Sequence, residues 1–384
     1  MKVAILTFAR TNNYGATLQC YALTKFVEQC GHQVSIINVP LLKAGAPRKK
    51  NFMDKLHSKI HSYFHGYEKR YKRTTEQLLH DKEFDQQNMK LFDLFRASYF
   101  PNLTHEYISE LDFEKDFPYA DLYIVGSDQV WNIWVTNIQY PLFFFSFLKK
   151  NEKRISYAAC MGGDRNFKFN EDESKTICSL LERFNGISVR DTTGLAILKN
   201  KFNISAVQVL DPTFLIDSYD SLLKDSSVDA KGSMFCFKFI INDYWVKVIK
   251  HMSKELTLNV RMDTCLIPID GLPFKPICSV QDWLSLIKTS DFVFTDSFHG
   301  MVFCILFRKQ FVVTPSYKGG EERYMDLALK LGLEERVYTS PKEIFCSKKW
   351  KDTIDYNVVY KKLDILRENS KSFLTQYLIQ NINP

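Results

Sequence analysis

Val3–Ala9 is a mostly apolar run closed by Arg10 and followed by Thr11, Asn12, Asn13, Tyr14 and Gly15, which is turn chemistry. Beyond the turn, Leu18, Ala22, Phe26 and Cys30 fall four apart, with Leu23 and Val27 beside them and Gly31 as a natural stop. Gln33–Val39 is strand-like again. A strand, a helix and a second strand in succession form a βαβ unit, which requires a parallel sheet and a right-handed crossover.

The alternation recurs. Strand-like runs return at Leu122–Val125, Ile155–Ala159, Ile187–Val189 and Val207–Leu210, with a helical pattern over Glu171–Phe184. These predict a first α/β domain over 1–217. Residues about 41–115 interrupt it and read as a largely helical insertion, with helical spacing at Leu78, Leu79, Phe84, Met89, Leu91, Phe92, Leu94 and Phe95. The polar stretch Asp217–Gly232 reads as a linker. A second alternation over 233–355 has strands at Phe235–Ile240, Leu256–Arg261, Phe292–Thr295 and Phe311–Thr314. A last helix falls within 356–384. In open parallel sheets, ligands sit where loops leave the carboxyl ends of strands, so the chemistry should lie in a few strand-to-helix loops.

Composition narrows the class. The chain has 384 residues, 45% apolar and 25% charged, which suits two globular domains and excludes a disordered, collagenous or coiled-coil protein. The net charge is +7, but ten Lys/Arg and only two acids between Lys43 and Arg73 give that stretch +8, leaving −1 for the rest. A near-neutral body with one basic segment argues against a nucleic-acid-binding protein and for a single anionic contact zone. The nine cysteines form no C-x-x-C pair and sit mostly in apolar runs, as thiols do in a reducing compartment. The first apolar run is too short for a signal peptide, and no run spans a bilayer, so the expected location is cytoplasmic.

Six loops carry candidate chemistry. Thr295-Asp296-Ser297-Phe298-His299-Gly300 stands between an apolar strand and an apolar helix; an imidazole suits proton transfer near neutral pH, and a helix N-terminus favours an anion. Ser188-Val189-Arg190-Asp191-Thr192 places an Arg where it can fork onto a carboxylate or phosphate, or simply pair with Asp191. Val125-Gly126-Ser127-Asp128-Gln129-Val130-Trp131-Asn132 sets polar groups beside a Trp, as a sugar platform or a capped helix start would. Asn12-Asn13-Tyr14-Gly15-Ala16-Thr17 forms the first βα turn, a binding loop or an ordinary turn and N-cap, and Pro315-Ser316-Tyr317-Lys318-Gly319-Gly320 offers a point charge for phosphate or a flexible loop with a solvated Lys. Asp211-Pro212-Thr213 closes the last strand of the first domain. There is no G-x-x-x-x-G-K-[ST], G-x-S-x-G, H-E-x-x-H or D-x-D, and His57, His61 and His65 lie among too many cations to favour a metal.

NNYGATLQCYAL, IVGSDQVWN, ISYAACMG, ISVRD, VLDPTF and TDSFHGMVFCILF followed by P-x-Y-K, in this order, resemble the polysaccharide pyruvyl transferase family. The resemblance implies a GT-B-like fold: two Rossmann-like domains facing across a cleft, with a final helix returning to the first domain. It implies transfer of the pyruvyl unit of phosphoenolpyruvate to sugar hydroxyls of a polysaccharide or glycan precursor, forming a ketal and releasing phosphate. His299 matches the family's catalytic His, Arg190 its phosphoenolpyruvate-binding Arg, and Lys318 a basic residue of the donor site. The family often has Arg-Leu-His where this chain has Ser297-Phe298-His299, so one donor contact is either missing or supplied elsewhere.

On this reading His299 protonates the donor's methylene carbon, Arg190 and Lys318 hold its anionic groups, and Ser297 and Gly300 line the phosphate end. Asp128, or alternatively Asp296, takes the proton of the attacking hydroxyl. Asn13, Tyr14, Gly15, Gln129 and Trp131 are the acceptor-side candidates. No cofactor or metal is expected. The partners are phosphoenolpyruvate and a sugar or lipid-linked glycan. The basic segment reads either as a solvated insertion or as a peripheral contact with an anionic membrane face. The competing readings are a GT-B glycosyltransferase using a sugar nucleotide and a non-catalytic glycan-binding relative.

Overall fold

The computed structural model describes residues 1–42, 75–162, 169–263, 272, 274–275, 278–315 and 320–379. They form two compact units, one drawn from 1–45, 96–217 and 360–384, the other from 46–95 and 218–359.

The first unit is built on seven strands: β1 (Lys2–Leu6), β2 (Gln33–Asn38), β3 (Leu103–Glu106), β4 (Leu122–Asp128), β5 (Arg154–Ala159), β6 (Gly186–Val189) and β7 (Val207–Gln208). Their order is β3-β2-β1-β4-β5-β6-β7, and every neighbouring pair is parallel. Val3, Ala4, Ile5 and Leu6 of β1 are all fully buried. Helices cover both faces of such a sheet, so its central strands are apolar throughout rather than alternating. The helices are α1 (Tyr14–Gln29), α2 (Thr75–Tyr99, in this unit from Arg96), α3 (Glu110–Lys115), α4 (Ile133–Thr136), α5 (Glu171–Leu181) and α6 (Thr192–Phe202). Asn13 starts α1 by accepting the Ala16 N–H.

The expected helical insertion over 41–115 is corrected at its C-terminal end. Leu103–Glu106 is the edge strand β3, joined to β2 through Ile36 and Asn38, and 96–115 belongs to the sheet unit. Its sequence, LTHE, has one apolar residue and so carries no strand signal of its own. The basic stretch 43–73, with His57, His61 and His65, lies outside the described residues.

The second unit holds α7 (Asp220–Leu223), β8 (Ser233–Phe237), α8 (Asp243–Leu256), β9 (Asn259–Asp263), β10 (Phe274–Lys275), α9 (Val280–Thr289), β11 (Phe292–Thr295), α10 (Phe298–Leu306), β12 (Gln310–Val313), α11 (Glu321–Leu331) and α12 (Pro341–Cys346). The sheet order is β10-β9-β8-β11-β12, again all parallel. The stretch expected as a linker is part of this unit. Ser226 donates to Asp282 (2.7 Å) and Asp220 pairs with Lys288 (3.0 Å), which ties 218–232 to α9.

The last helix, α13 (Tyr356–Ile379), belongs to the first unit from Tyr360 onward. Arg367 donates to the Phe214 carbonyl (2.8 Å), and the Leu210 N–H donates to Ser370 Oγ (2.9 Å). Tyr377 donates to the Asn185 carbonyl (3.2 Å) and fills the space beside Gly186, where any Cβ would collide with its ring. The architecture is therefore α/β with two Rossmann-like units, each having its strand order reverse beside its first strand. Those reversals, β1/β4 and β8/β11, are where such sheets open a crevice for ligands.

Candidate active site

At the carboxyl ends of the first sheet, Arg190 follows β6 and Asp211 follows β7. Arg190 Nη1 donates to Asp211 Oδ2 at 2.9 Å, and Arg190 Nη2 stands 3.6 Å from Asp128 Oδ1. The three side chains are 3%, 1% and 15% exposed, so Asp128 is the member that meets solvent. Burial works against the guanidinium charge, but Cys160, Asp211, Asp128 and Asp191 outweigh it and hold the pKa of Arg190 above its ordinary value. Asp211 is further fixed by Ser127 Oγ (3.1 Å) and by the N–H and hydroxyl of Thr213 (3.1 and 2.8 Å). Asp191 caps α6 through the Gly194 N–H and accepts from Cys160 Sγ. Asp128 itself lies in the left-handed region (φ 63°), as does Ala158 (φ 53°) at the bulge in β5. Non-glycine residues stay in that region only where their surroundings hold them there.

This cluster contains one cation and three aspartates. Arg190 therefore offers an incoming anion no net positive charge, and its second nitrogen faces Asp128 as an ion pair. A second buried guanidinium, Arg96, donates to the Thr11 carbonyl (3.4 Å) and to Asn12 Oδ1 (3.1 Å) in the loop after β1, and the sequence alone did not single it out.

The acceptor-side candidates separate. Trp131 is fully buried, stacked on Phe144 (4.9 Å, 6°), and donates its indole N–H to the Phe143 carbonyl (2.9 Å). It is a core residue and cannot serve as a sugar platform. Tyr14 and Gly15 are buried in the first turn of α1. Asn13 is exposed but holds the helix start, and Gln129, half-buried, accepts from Asn132 (2.7 Å).

In the second unit, Ser297 caps α10 by accepting the Gly300 N–H (3.1 Å), and His299 is a buried residue of the first helical turn. The Gly300 N–H is thus committed to Ser297 and is not a free phosphate donor. Gly300 is required for another reason: a Cβ there would lie 2.7 Å from Thr295 Oγ1. Asp296 turns back to the loop after β8. Its carboxylate accepts the N–H groups of Phe239 (2.8 Å) and Ile240 (3.0 Å) and lies 3.4 Å from Lys238 Nζ, which places it as an anchor rather than a base. Lys238 was not singled out in the sequence, although a lone cation inside the apolar run Phe235–Ile241 is the signal that could have found it. Lys318 lies outside the described residues.

The profile of the polysaccharide pyruvyl transferase family matches residues 13–316. The chain belongs to this family. The match covers most of both units and contains Asp128, Arg190, Asp211, Lys238 and His299. No curated protein matches the sequence. Among solved structures, the chain resembles a putative UDP-N-acetylglucosamine 2-epimerase from Listeria monocytogenes (10% identity, 100% of this chain and 98% of that one, TM-score 0.53). It also resembles the MnaA–UDP co-structure from S. aureus (14% identity, 98% and 97%, TM-score 0.52). A third is the UDP-GlcNAc 2-epimerase from Neisseria meningitidis bound to UDP-GlcNAc (12% identity, 99% and 100%, TM-score 0.51). At these identities the likeness concerns the fold alone. Among the described residues of this pyruvyl transferase family member, no helix is long and apolar enough to cross a membrane.

Proposed function

We propose that the protein transfers the pyruvyl unit of phosphoenolpyruvate to two hydroxyls of a sugar in a glycan precursor. His299, as imidazolium, gives its proton to the methylene carbon, and positive charge develops at the central carbon. A sugar hydroxyl adds there and loses its proton to Asp128, the phosphate leaves with the C–O bonding pair and takes up that proton, and a second hydroxyl closes the ketal as its own proton returns to the neutral His299. A positioned acid of this kind contributes about 10²–10⁴-fold. The N-terminal end of α10 favours the departing dianion electrostatically. Arg190 orients Asp128, and its expected contact with the donor is the part of the reading that donor affinity tests. No cofactor enters. The reading carries with it a cytoplasmic location and a sugar or lipid-linked acceptor.

The observation that carries the reading is the buried His299 in the first turn of α10, at the strand-order reversal of the second sheet. The test is incubation with phosphoenolpyruvate and a panel of free and lipid-linked sugars. Released phosphate, with an acceptor mass raised by pyruvate less one water, supports it. Release of nucleoside diphosphate from a sugar nucleotide, with none of phosphate from phosphoenolpyruvate, supports the glycosyltransferase reading instead. Glycan binding without turnover on either donor would make the chain a non-catalytic relative.

A further inference from the structure

Lys238 is the first residue beyond β8, and its side chain is 1% exposed. Its ammonium donates to Thr314 Oγ1 (2.7 Å), the first residue beyond β12, and lies 3.4 Å from Asp296, the first beyond β11. One side chain thus ties the carboxyl ends of three parallel strands. Trp245 and Phe294 present ring faces to it at 4.3 and 4.9 Å. Burial lowers its pKa, and Asp296 opposes that.

A buried ion pair is a poor way to stabilise a fold, because removing two charges from water costs about as much as their attraction returns. Thr295 already holds this corner without charge: its hydroxyl donates to the Phe237 carbonyl (2.8 Å) and accepts the Ser297 N–H (3.0 Å). What the pair adds is direction. The Asp296 carboxylate takes both N–H groups of 239–240, its backbone carbonyl accepts from Tyr324 (2.9 Å), and the next residues are the cap Ser297 and the helical turn bearing His299. The ammonium is enclosed by these groups, so its influence on the turn passes through them.

We propose that Lys238 is a positioning residue: acting through Asp296, it fixes the turn that aims His299. The proposal rests on the reading of His299 as the proton donor. A turn held from three strand ends keeps the imidazole in one place while charge develops, and a misplacement of about 1 Å at such a group costs on the order of 10²-fold in rate.

The test uses the full chain with Lys238→Met and Lys238→Met/Asp296→Asn. The single variant leaves a buried carboxylate uncompensated, which disfavours folding; the double variant removes both charges together. In the folded double variant, kcat should fall at least about tenfold while KM for phosphoenolpyruvate changes less than about twofold, the split expected when only transition-state alignment is lost. A kcat within twofold of wild type, or a loss confined to KM, overturns the proposal. Its crystal structure should show the His299 imidazole displaced relative to β11; a superimposable turn overturns the proposal whatever the rates. If wild type transfers no pyruvyl group, the functional reading fails by itself and the crystallographic comparison alone decides the positioning role.

Discussion

Arg190 and Asp211 form a 2.9 Å ion pair in which neither side chain is more than 3% exposed, and the same guanidinium reaches Asp128 at 3.6 Å. The pair spans the ends of two neighbouring parallel strands, so the guanidinium that faces Asp128 is itself fixed by the sheet.

Arg190→Met is therefore expected to act first on stability. It leaves Asp211 and Asp191 buried without their cation, a loss of about 3–5 kcal/mol for a broken buried pair. Urea denaturation checks this. In the surviving folded fraction, calorimetry against phosphoenolpyruvate reads the donor role: a loss of about 1.5–3 kcal/mol marks a charged hydrogen bond to the donor, and unchanged affinity confines Arg190 to holding Asp128.

His299→Ala should lower turnover at least about 100-fold while donor affinity largely persists, because the proton transfer is lost and the anion contacts are not. Phosphate release and equilibrium binding, measured on the same preparation, separate the two effects. Near-normal turnover would remove His299 from the mechanism.

Gly300→Ala gains intrinsic helix propensity, yet the new methyl meets Thr295 Oγ1 at 2.7 Å, an atom already tied to Phe237 and Ser297. The clash should win, with a net loss of about 1–3 kcal/mol. Thr295→Ala in the same chain should recover part of that loss, and a thermal-melt double-mutant cycle measures the coupling.

Trp131→Ala should cost about 3–5 kcal/mol, as removal of a fully buried ring does. Trp131→Phe keeps most of the volume and drops only the N–H bond to Phe143. In that milder variant the KM for acceptor should match wild type, and a raised KM would return Trp131 to the acceptor side.

Thiol reactivity should follow burial. Cys20 is pushed up to about 12 by burial, and burial also raises Cys304, so both stay protonated near pH 8. Cys346 is the exposed cysteine among the described residues and should be labelled first by an aromatic disulfide, with mass spectrometry locating the adduct.

The βαβ units were legible because each central strand is a short, nearly continuous apolar run and each crossover helix brings in apolar spacing near four. Asp128, Arg190 and His299 stood out in the sequence for a related reason, since polar residues between two apolar segments have few packing roles; the structure gathers the first two into one cluster and buries the third. Contacts made only in three dimensions were not legible. LTHE is an edge strand through its neighbour β2, not through its own side chains. Trp131 looks like a platform beside four polar residues, but its ring turns inward onto Phe144. Lys238 hid in an apolar run because its partners, Asp296 and Thr314, are 58 and 76 residues away in the chain.

The placement of α13 sets an order of assembly. Residues 360–379 complete the first unit, yet they follow the second in the chain. During synthesis the seven β-strands of the N-terminal sheet leave the ribosome long before the helix that covers Gly186 and Leu210, so that surface waits exposed while some 140 intervening residues emerge. A premature stop between 360 and 379 would thus leave the last-made unit whole and the first-made one unfinished.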